Sequence, residues 1–324
     1  MNARQPRSTG AATLALGVLA DAAPPFGLFA TADARREGVS EDMLRSLVRS
    51  GHLRRPARGW YHLADPEHDA LALHRRATAA HVLRRRGRAV ASHHSALIDH
   101  GVPALGAHLG TVHLTHRDSS SYRVGRGWVV HRADTSTAAL DGDPGAAAVG
   151  LPFAIVQSGL LNGPLATLVA GDSALGRRLV TPEDLASAAA AYGRTTGIAA
   201  VTGILAHLSE LAESPAESLA RYAVTRLGYA VTPQRWVRSE DRDYRVDLAV
   251  DDTPLLIEVD GWVKYQGPDG SQVIMDEKAR HASLERSGWK VLRLTWREVM
   301  TSGGQLRLAN IRALIQATLR APAA

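Results

Sequence analysis

The chain has 324 residues, enough for two or three domains, and its hydrophobic content of 45% is ordinary for a globular protein. It contains no cysteine, which excludes disulfides and thiolate metal sites and fits a cytoplasmic protein. Residues 1–150 carry 19 Lys and Arg residues against 13 Asp and Glu, whereas the remainder carries 19 of each. The whole net charge of +6 therefore lies N-terminally, which suits nucleic-acid binding but also fits a mildly basic surface.

An apolar run at residues 11–20 follows Arg4 and Arg7 and superficially resembles the core of a signal peptide. Asp21 and two prolines follow at once, and the run is too short to span a bilayer. We therefore predict no membrane-spanning segment here, and we interpret residues 13–23 as the first helix of a small domain.

The next stretch has the pattern of a winged helix-turn-helix. Residues 31–37 are predicted to form a short helix, and Ser40 is predicted to cap a second helix that ends at Gly51. Residues 52–63 are predicted to form the two strands of a wing. The alternative is an ordinary helical hairpin with an arginine-rich surface, because helix-turn-helix patterns are short and give many false positives.

The second helix of this motif is amphipathic. Leu44, Leu47 and Val48 are predicted to face inward, and the residues on the opposite face are spaced as in a recognition helix that meets DNA. Arginines of the wing suit phosphate contacts. The predicted DNA-binding residues are Arg45, Arg49, Arg54, Arg55 and Arg58.

The motif lies in GLFATADARREGVSEDMLRSLVRSGHLRRPARGWYHL, which is similar to the N-terminal domain of AbiEi-type antitoxins. The likeness extends more loosely into AVASHHSALIDHGVPA, TVHLTHRDSSSYRVGRGWVVHRA and LPFAIVQSGLLNGPLATLVAGDSALGRRLVTPEDL. It implies a winged-helix regulator with DNA as a partner and a cognate toxin as another. It also implies a middle α/β module, in which residues 141–150 have the Gly, Ala, Asp and Pro content of a linker.

Histidine is concentrated in the same part of the chain, where twelve of the fourteen histidines precede Arg132. His93, His94 and His100, or His113 and His116, suggest a zinc site. Adjacent histidines on a helix point in different directions, however, and no Cys or Glu at ligand spacing supports them. We interpret the histidines as core or surface residues without a metal role.

The C-terminal segment YRVDLAVDDTPLLIEVDG predicts a β-hairpin that turns at Asp252-Thr253. In that register Asp247 lies opposite Glu258, and Asp260 lies on the same face as Glu258, roughly 6–7 Å further along the strand. Like charges this close cost stability unless a cation lies among them, and oxygen ligands suit Mg²⁺ or Mn²⁺. The alternative is that the three acids are solvent-face residues of an edge hairpin.

The hairpin is part of a longer pattern made of SPAESLARYAVTRLGY, YRVDLAV, LLIEVDGWVKY and DEKARHASLERSGWKVLRLTWREVM. This pattern resembles the PD-(D/E)xK nuclease superfamily, in particular its very-short-patch-repair-like endonuclease domains. The resemblance implies a restriction-endonuclease-like α/β/α domain that binds Mg²⁺ or Mn²⁺. It implies that Asp247 and Glu258 bind the metal and matches Glu217 to the family's upstream helix glutamate, a further candidate ligand. Asp260 is then a further ligand or a base that orients the attacking water. Since Asp260 occupies the place of the superfamily's lysine, Lys264 and Lys278 are the candidates for polarising the nucleophile.

Glu217 also has a simpler interpretation. It follows Ser214 and Pro215 in a capping-box pattern, in which its carboxylate reaches back to the amide of Ser214. From the residues alone capping is favoured, and only the resemblance raises the ligand role to equal standing.

The sequence therefore predicts an α/β (α+β) multidomain protein. Its predicted divisions are a winged helix at 1–66, a middle α/β module at 67–205 and a nuclease-like domain at 206–324. The favoured function is a metal-dependent endodeoxyribonuclease with a DNA-binding head. The alternative is a non-catalytic DNA-binding regulator of the antitoxin type.

Overall fold

The computed structural model describes residues 13–19, 27–64, 69–140, 145–240, 242–260 and 280–322. The chain separates into two compact units: unit 1 contains residues 1–101 and 107–157, and unit 2 contains residues 102–106 and 158–324. The described residues form helices and three sheets, which confirms the predicted multidomain α/β (α+β) class. Within these residues no helix combines the length and the apolar content needed to cross a membrane.

Unit 1 begins with a winged helix. Its three strands form a sheet in the order β1-β3-β2, and its helices pack on one core with Phe29, Leu44 and Leu53. The elements in chain order are α1 (residues 13–19), β1 (Leu28–Ala30), α2 (Thr31–Arg36), α3 (Glu41–Arg49), β2 (Leu53–Ala57) and β3 (Trp60–Leu63).

Local chemistry explains these boundaries. The hydroxyl of Ser40 accepts a hydrogen bond from the amide of Met43 at 3.2 Å, which caps α3. Gly59 has a φ of +80°, a conformation that favours glycine, and so the wing turns there. The carbonyl oxygen of Gly59 also accepts from the amide of Thr31 at 2.9 Å, which ties the wing to the start of α2. The predicted two helices and two-stranded wing are therefore confirmed.

The rest of unit 1 is built on a second sheet in the order β4-β5-β7-β6, in which β5 and β7 are parallel. Ala80 of the next helix shares a core with Leu28 and Ala57 of the winged helix. The elements are α4 (Ala70–Arg85), β4 (Ala89–Ala91), α5 (His93–Asp99), β5 (Val112–His116), β6 (Arg123–Gly125), β7 (Trp128–His131) and α6 (Thr135–Ala138).

The predicted linker at 141–150 requires a correction over its described part, residues 145–150. The carbonyl of Ala147 accepts from the amide of Ala91 at 2.8 Å, and the amide of Val149 donates to the carbonyl of Ala91 at 2.9 Å. Val149 is fully buried. Small residues that suggest a flexible linker by composition here let the chain lie close against β4. Residues 141–144 lie outside the described part of the chain.

Unit 2 begins with a group of helices, and the boundary between the two units falls within α7. Leu168 and Val169 of α8 share a core with Leu219 and Ala223 of α11. Helices N-terminal to residue 205 therefore group with the C-terminal segment, and this division differs from the predicted boundary there. The elements are α7 (Leu151–Asn162), α8 (Pro164–Gly176), α9 (Pro182–Ala191), α10 (Ile198–Leu205) and α11 (Pro215–Arg226).

The C-terminal sheet has the order β11-β10-β9-β8, with β10 and β11 parallel and the other neighbours antiparallel. Ile257 on one face packs in the core that contains α11, and Leu256 on the other face packs with Leu284 of α12. Helices thus cover both faces in α/β/α layers. The elements are β8 (Val231–Arg238), β9 (Asp243–Val250), β10 (Leu255–Asp260), α12 (residues 280–286), β11 (Lys290–Thr295), α13 (Trp296–Val299) and α14 (Leu308–Arg320).

Candidate functional sites

Helix α3 has the polarity that the sequence predicts. Leu44 and Leu47 are buried, whereas Arg45 and Arg49 are exposed. A carboxylate oxygen of Asp42 lies 2.5 Å from the guanidinium of Arg45, and this hydrogen bond raises the pKa of Arg45 above its usual value. The exposed face of α3 therefore carries permanently charged guanidinium groups that can donate hydrogen bonds.

The wing adds three exposed arginines, Arg54, Arg55 and Arg58. The guanidinium carbon of Arg55 lies 5.9 Å from the centre of the Tyr61 ring, which supports that side chain. Among the described residues, the side chains of Arg54, Arg58 and the α3 residue Arg49 form no ion pair with a carboxylate. Since α3 packs against β2, these charges belong to one small basic element. We call these five arginines, Arg45, Arg49, Arg54, Arg55 and Arg58, the basic face.

In unit 2, β9 and β10 form the predicted hairpin in the predicted register. Leu256 pairs with Ala249 and Ile257 pairs with Leu248, and the same register places Glu258 opposite Asp247. The carboxylate of Asp247 accepts a hydrogen bond from the amide of Val259 at 2.7 Å. Asp247 therefore satisfies a backbone donor of the neighbouring strand at this point.

Two arginines compensate the charge of Glu258. Its carboxylate oxygens lie 2.9 Å from the Arg280 guanidinium and 3.5 Å from the Arg293 guanidinium. Arg280 is itself held in place, because it donates to the carbonyl of Arg245 at 2.6 Å and lies over the Tyr244 ring. The cation that the crowded acids require is thus supplied at Glu258 by the protein's own side chains.

Glu217 lies in the first turn of α11 and is nearly buried. Its carboxylate accepts hydrogen bonds from the amide of Glu213 at 3.0 Å and from the side-chain amide of Gln234 at 2.9 Å. Burial raises the pKa of Glu217, and the nearby charge of Asp247 adds to the rise. The capping interpretation predicts that the Glu217 carboxylate accepts from the amide of Ser214, whereas its backbone partner is the amide of Glu213, one residue earlier. Glu217 also lies within electrostatic reach of Asp247.

Three further residues were predicted to be catalytic: Asp260, Lys264 and Lys278. Asp260 lines a cavity of about 400 Å³ together with Pro215, Ala216 and Trp296. Lys264 and Lys278 lie outside the described residues.

The four predicted metal ligands were tested against the geometry that a cation needs. Their oxygen donors suit Mg²⁺. Among the described residues, however, the group of potential ligands whose atoms all lie within 4.8 Å of one another consists of histidines, not of these acids. Glu217, Asp247, Glu258 and Asp260 do not form such a group among the described residues, and Glu258 is paired with two arginines.

The described geometry defines a protein with a winged helix-turn-helix that carries a basic face. The model of the family described as "Transcriptional regulator, AbiEi antitoxin" matches residues 26–64, the same segment. No curated protein gives a significant match to the chain. A crystal structure of the RV2827C protein from Mycobacterium tuberculosis is similar with a TM-score of 0.40 and 19% identity, over 68% of this chain and 83% of that one. At this level of similarity nothing about function follows from that structure.

Two features of the sites could not be recognised from the sequence. Arg280 and Arg293 lie 22 and 35 residues beyond Glu258 in the chain, and no local motif links either arginine to that acid. The histidine group likewise joins residues from three separate elements. Both features depend on the tertiary fold, although the sequence already drew attention to His93 and His113 in two separate candidate groups.

Proposed function

We propose that this protein is a DNA-binding transcriptional regulator of the antitoxin type and that its winged helix binds duplex DNA. The observation that carries the proposal is the basic face on a winged-helix fold, in the segment that matches the AbiEi family model. The same proposal implies a cytoplasmic location and a protein toxin as a further partner.

In this proposal α3 enters the major groove. Arg45 and Arg49 lie one helical turn apart on its exposed face, so both guanidinium groups can reach base edges or flanking phosphates. Arg54, Arg55 and Arg58 contact the backbone beside the groove and fix the orientation of the helix without reading sequence.

Fluorescence anisotropy with a duplex selected from a random pool tests the proposal. Because each neutralised phosphate releases counterions, the slope of log K against log salt measures the number of phosphate contacts, at about 0.9 per contact. The triple variant Arg54→Ala/Arg55→Ala/Arg58→Ala should lower that slope by roughly 2 to 3 units. The double variant Arg45→Ala/Arg49→Ala should chiefly reduce discrimination between the selected and a scrambled duplex.

The matched control is Arg312→Ala, which removes an exposed arginine from unit 2. It should leave both the slope and the discrimination unchanged. Equal losses in Arg312→Ala and in the basic-face variants would contradict a role for the winged helix.

A second candidate function is metal-dependent hydrolysis of DNA by unit 2, with Asp247, Glu258, Asp260 and Glu217 as ligands of Mg²⁺ or Mn²⁺ and Lys264 or Lys278 assisting. The register that sets Glu258 opposite Asp247, with Glu217 in electrostatic reach, supports it. Against it stand the ion pairs of Glu258, which would have to exchange Arg280 and Arg293 for a cation.

Incubation of the full chain with supercoiled and linear DNA in Mg²⁺, Mn²⁺ or EDTA separates the two candidates. The regulator proposal expects DNA retardation that neither EDTA nor the double variant Asp247→Ala/Glu258→Ala alters. Metal-dependent nicking that this double variant abolishes would establish the second function instead.

A further inference from the structure

Unit 1 contains a group of histidines drawn from three elements. His93 opens α5, His113 lies in β5 and His131 ends β7, and one potential ligand atom from each lies within 4.8 Å of the others. We propose that His93, His113 and His131 bind a Zn²⁺ ion. This site belongs neither to the basic face nor to the acids of unit 2.

The two strands place the first two ligands. Strands β5 and β7 are parallel neighbours, and Nδ1 of His113 lies 2.9 Å from Nε2 of His131. One of these nitrogens donates a hydrogen bond to the other, so both atoms are directed at the same small space. Zinc–nitrogen bonds of about 2.0–2.1 Å require nitrogens about 3.3 Å apart in a tetrahedral site, a change of a few tenths of an ångström.

His93 supplies the third ligand from a strained backbone. Its φ is +52°, which is unfavourable for a residue with a side chain and is found preferentially at functional sites. Its Nδ1 lies 2.9 Å from the hydroxyl of Ser92, which leaves Nε2 for the metal. The His93 and His131 rings stack with their centres 4.0 Å apart, and rotation of the rings, a soft torsion, brings their nitrogens together.

A shell of hydrogen bonds holds this strained residue in place. The side-chain oxygen of Gln157 accepts from the amide of His93 at 3.0 Å. The side-chain amide of Gln157 in turn donates to Asp134 at 3.2 Å and to the hydroxyl of Ser136 at 2.9 Å. These bonds fix the backbone of His93, and they place the carboxylate of Asp134 in the same hydrogen-bonded network.

The type of ligand in the group suits zinc. All three candidate ligands are imidazole nitrogens, and the side chains of His93 and His113 are buried. Imidazole ligands favour Zn²⁺ over Mg²⁺.

A neighbouring histidine adds a further lone pair. Nε2 of His94 lies 3.0 Å from the carbonyl of Thr111, so this nitrogen must be the donor and Nδ1 must be unprotonated. That Nδ1 is buried and has no hydrogen-bond partner among the described residues. The His94 ring lies 4.6 Å from the His113 ring, which puts an unused acceptor beside the proposed site.

The test uses the untagged full-length protein with Zn²⁺ and Co²⁺ as probes. The protein is loaded with zinc and then dialysed against metal-free buffer. Elemental analysis should then find one Zn²⁺ per chain. Co²⁺ titration should give the strong visible absorption of a four-coordinate site. Added Zn²⁺ should raise the Tm of unit 1, because it links α5, β5 and β7 and binds only the folded state.

Two variants and two controls locate the ion. His113→Gln and His131→Gln should each lose the bound Zn²⁺ and the Co²⁺ absorption. His108→Gln, which changes an exposed histidine of unit 1, and Asp247→Asn in unit 2 should retain both. Circular dichroism reports whether each variant is folded. If a ligand variant does not fold, the wild-type Co²⁺ spectrum and stoichiometry decide the question alone.

Wild-type protein that retains less than about a tenth of an equivalent of Zn²⁺ and shows no four-coordinate Co²⁺ spectrum would overturn the proposal. Zinc retained in folded His113→Gln and His131→Gln would overturn it as well. In either case the histidines form only a hydrogen-bonded core, and DNA binding by the winged helix is unaffected.

Discussion

At the scale of single residues, His81 couples the fold of unit 1 to pH. It is buried in α4, where burial and the neighbouring charges of Arg85 and Arg84 lower its pKa to about 4. Because the folded pKa lies below the unfolded value of about 6.5, His81 contributes fully to stability above pH 6.5. That contribution is lost as the pH falls from 6.5 towards 4, and the loss between pH 7 and pH 5 is about 2 kcal/mol.

His81→Gln should therefore flatten the pH dependence. We expect urea unfolding to show that the wild type loses about 2 kcal/mol more than the variant between pH 7 and pH 5. The control is His52→Gln, which changes an exposed histidine and should leave the pH dependence as in the wild type. If the free energy of unfolding changes with pH equally in the wild type and in His81→Gln, His81 is not held neutral in the folded protein.

We expect Asp42 to limit the DNA affinity that we propose for the basic face. Its carboxylate pairs with Arg45 at 2.5 Å, and both side chains are largely exposed. Asp42→Asn removes a negative charge from the face that meets the phosphates and releases Arg45 from the pair. We expect DNA binding to tighten by roughly fivefold at 0.1 M salt, on the order of 1 kcal/mol, in an anisotropy titration.

The control for this change of charge is Glu183→Gln, an exposed acid in the first turn of α9. It alters the net charge equally but lies in unit 2. Weaker binding by Asp42→Asn would indicate that Asp42 orients Arg45 productively and that the pair does not compete with DNA.

At the scale of elements, a buried ion pair joins α8 to α11. Asp172 is fully buried, and its carboxylate lies 3.0 Å from the guanidinium of Arg221. Asp172 also accepts from the amide of Ser209 at 2.7 Å. Burial raises the pKa of Asp172, and the charge of Arg221 opposes that rise. The pair therefore lies beside the apolar core in which Leu168 and Val169 of α8 meet α11.

Removing one partner of the Asp172–Arg221 pair should lower the free energy of unfolding far more than replacing both partners. Asp172→Ala leaves the Arg221 guanidinium buried without its anion, and we expect a loss of about 3–5 kcal/mol in the free energy of unfolding of unit 2. Asp172→Leu/Arg221→Met should lose markedly less, because no charge remains buried. Hydrogen exchange at the amides of α8 and α11 measures both. A loss in the double variant as large as that in Asp172→Ala would be inconsistent with a coupled pair.

The elements also show what the sequence could predict. The winged helix follows from local signals, such as the Ser40 cap, the turn at Gly59 and the spacing of Leu44 and Leu47, each of which acts within a few residues. The β9–β10 hairpin was predicted to the correct register for the same reason, because its turn fixes it.

Contacts between residues that are distant in the chain could not be predicted from the sequence. The pairing of Glu258 with Arg280 and Arg293 arises only when α12 and β11 pack beside β10. The described part of the predicted linker is hydrogen-bonded to β4, and Val149 is buried there. The composition of the segment does not reveal this packing. The histidines of β5 and β7 meet because the strands are parallel neighbours, which spacing along the chain does not indicate.

At the scale of the whole molecule, formal charge is distributed as a regulator requires. The net charge of +6 arises within residues 1–150, and the basic face lies in that part of the chain. Unit 2 has an α/β/α architecture, which by itself assigns no chemistry. The division of roles that we propose is DNA recognition by the winged helix of unit 1, with catalysis by unit 2 as the competing account.

Hydrogen–deuterium exchange of the full chain, free and bound to a selected duplex, tests this division most directly. The account predicts that DNA slows exchange in α3 and the wing, residues 41–63, and that Arg45→Ala/Arg49→Ala removes this protection. Slower exchange confined to β9, β10 and α11 around Asp247, Glu258 and Glu217, with residues 41–63 unchanged, would contradict it and place DNA recognition in unit 2.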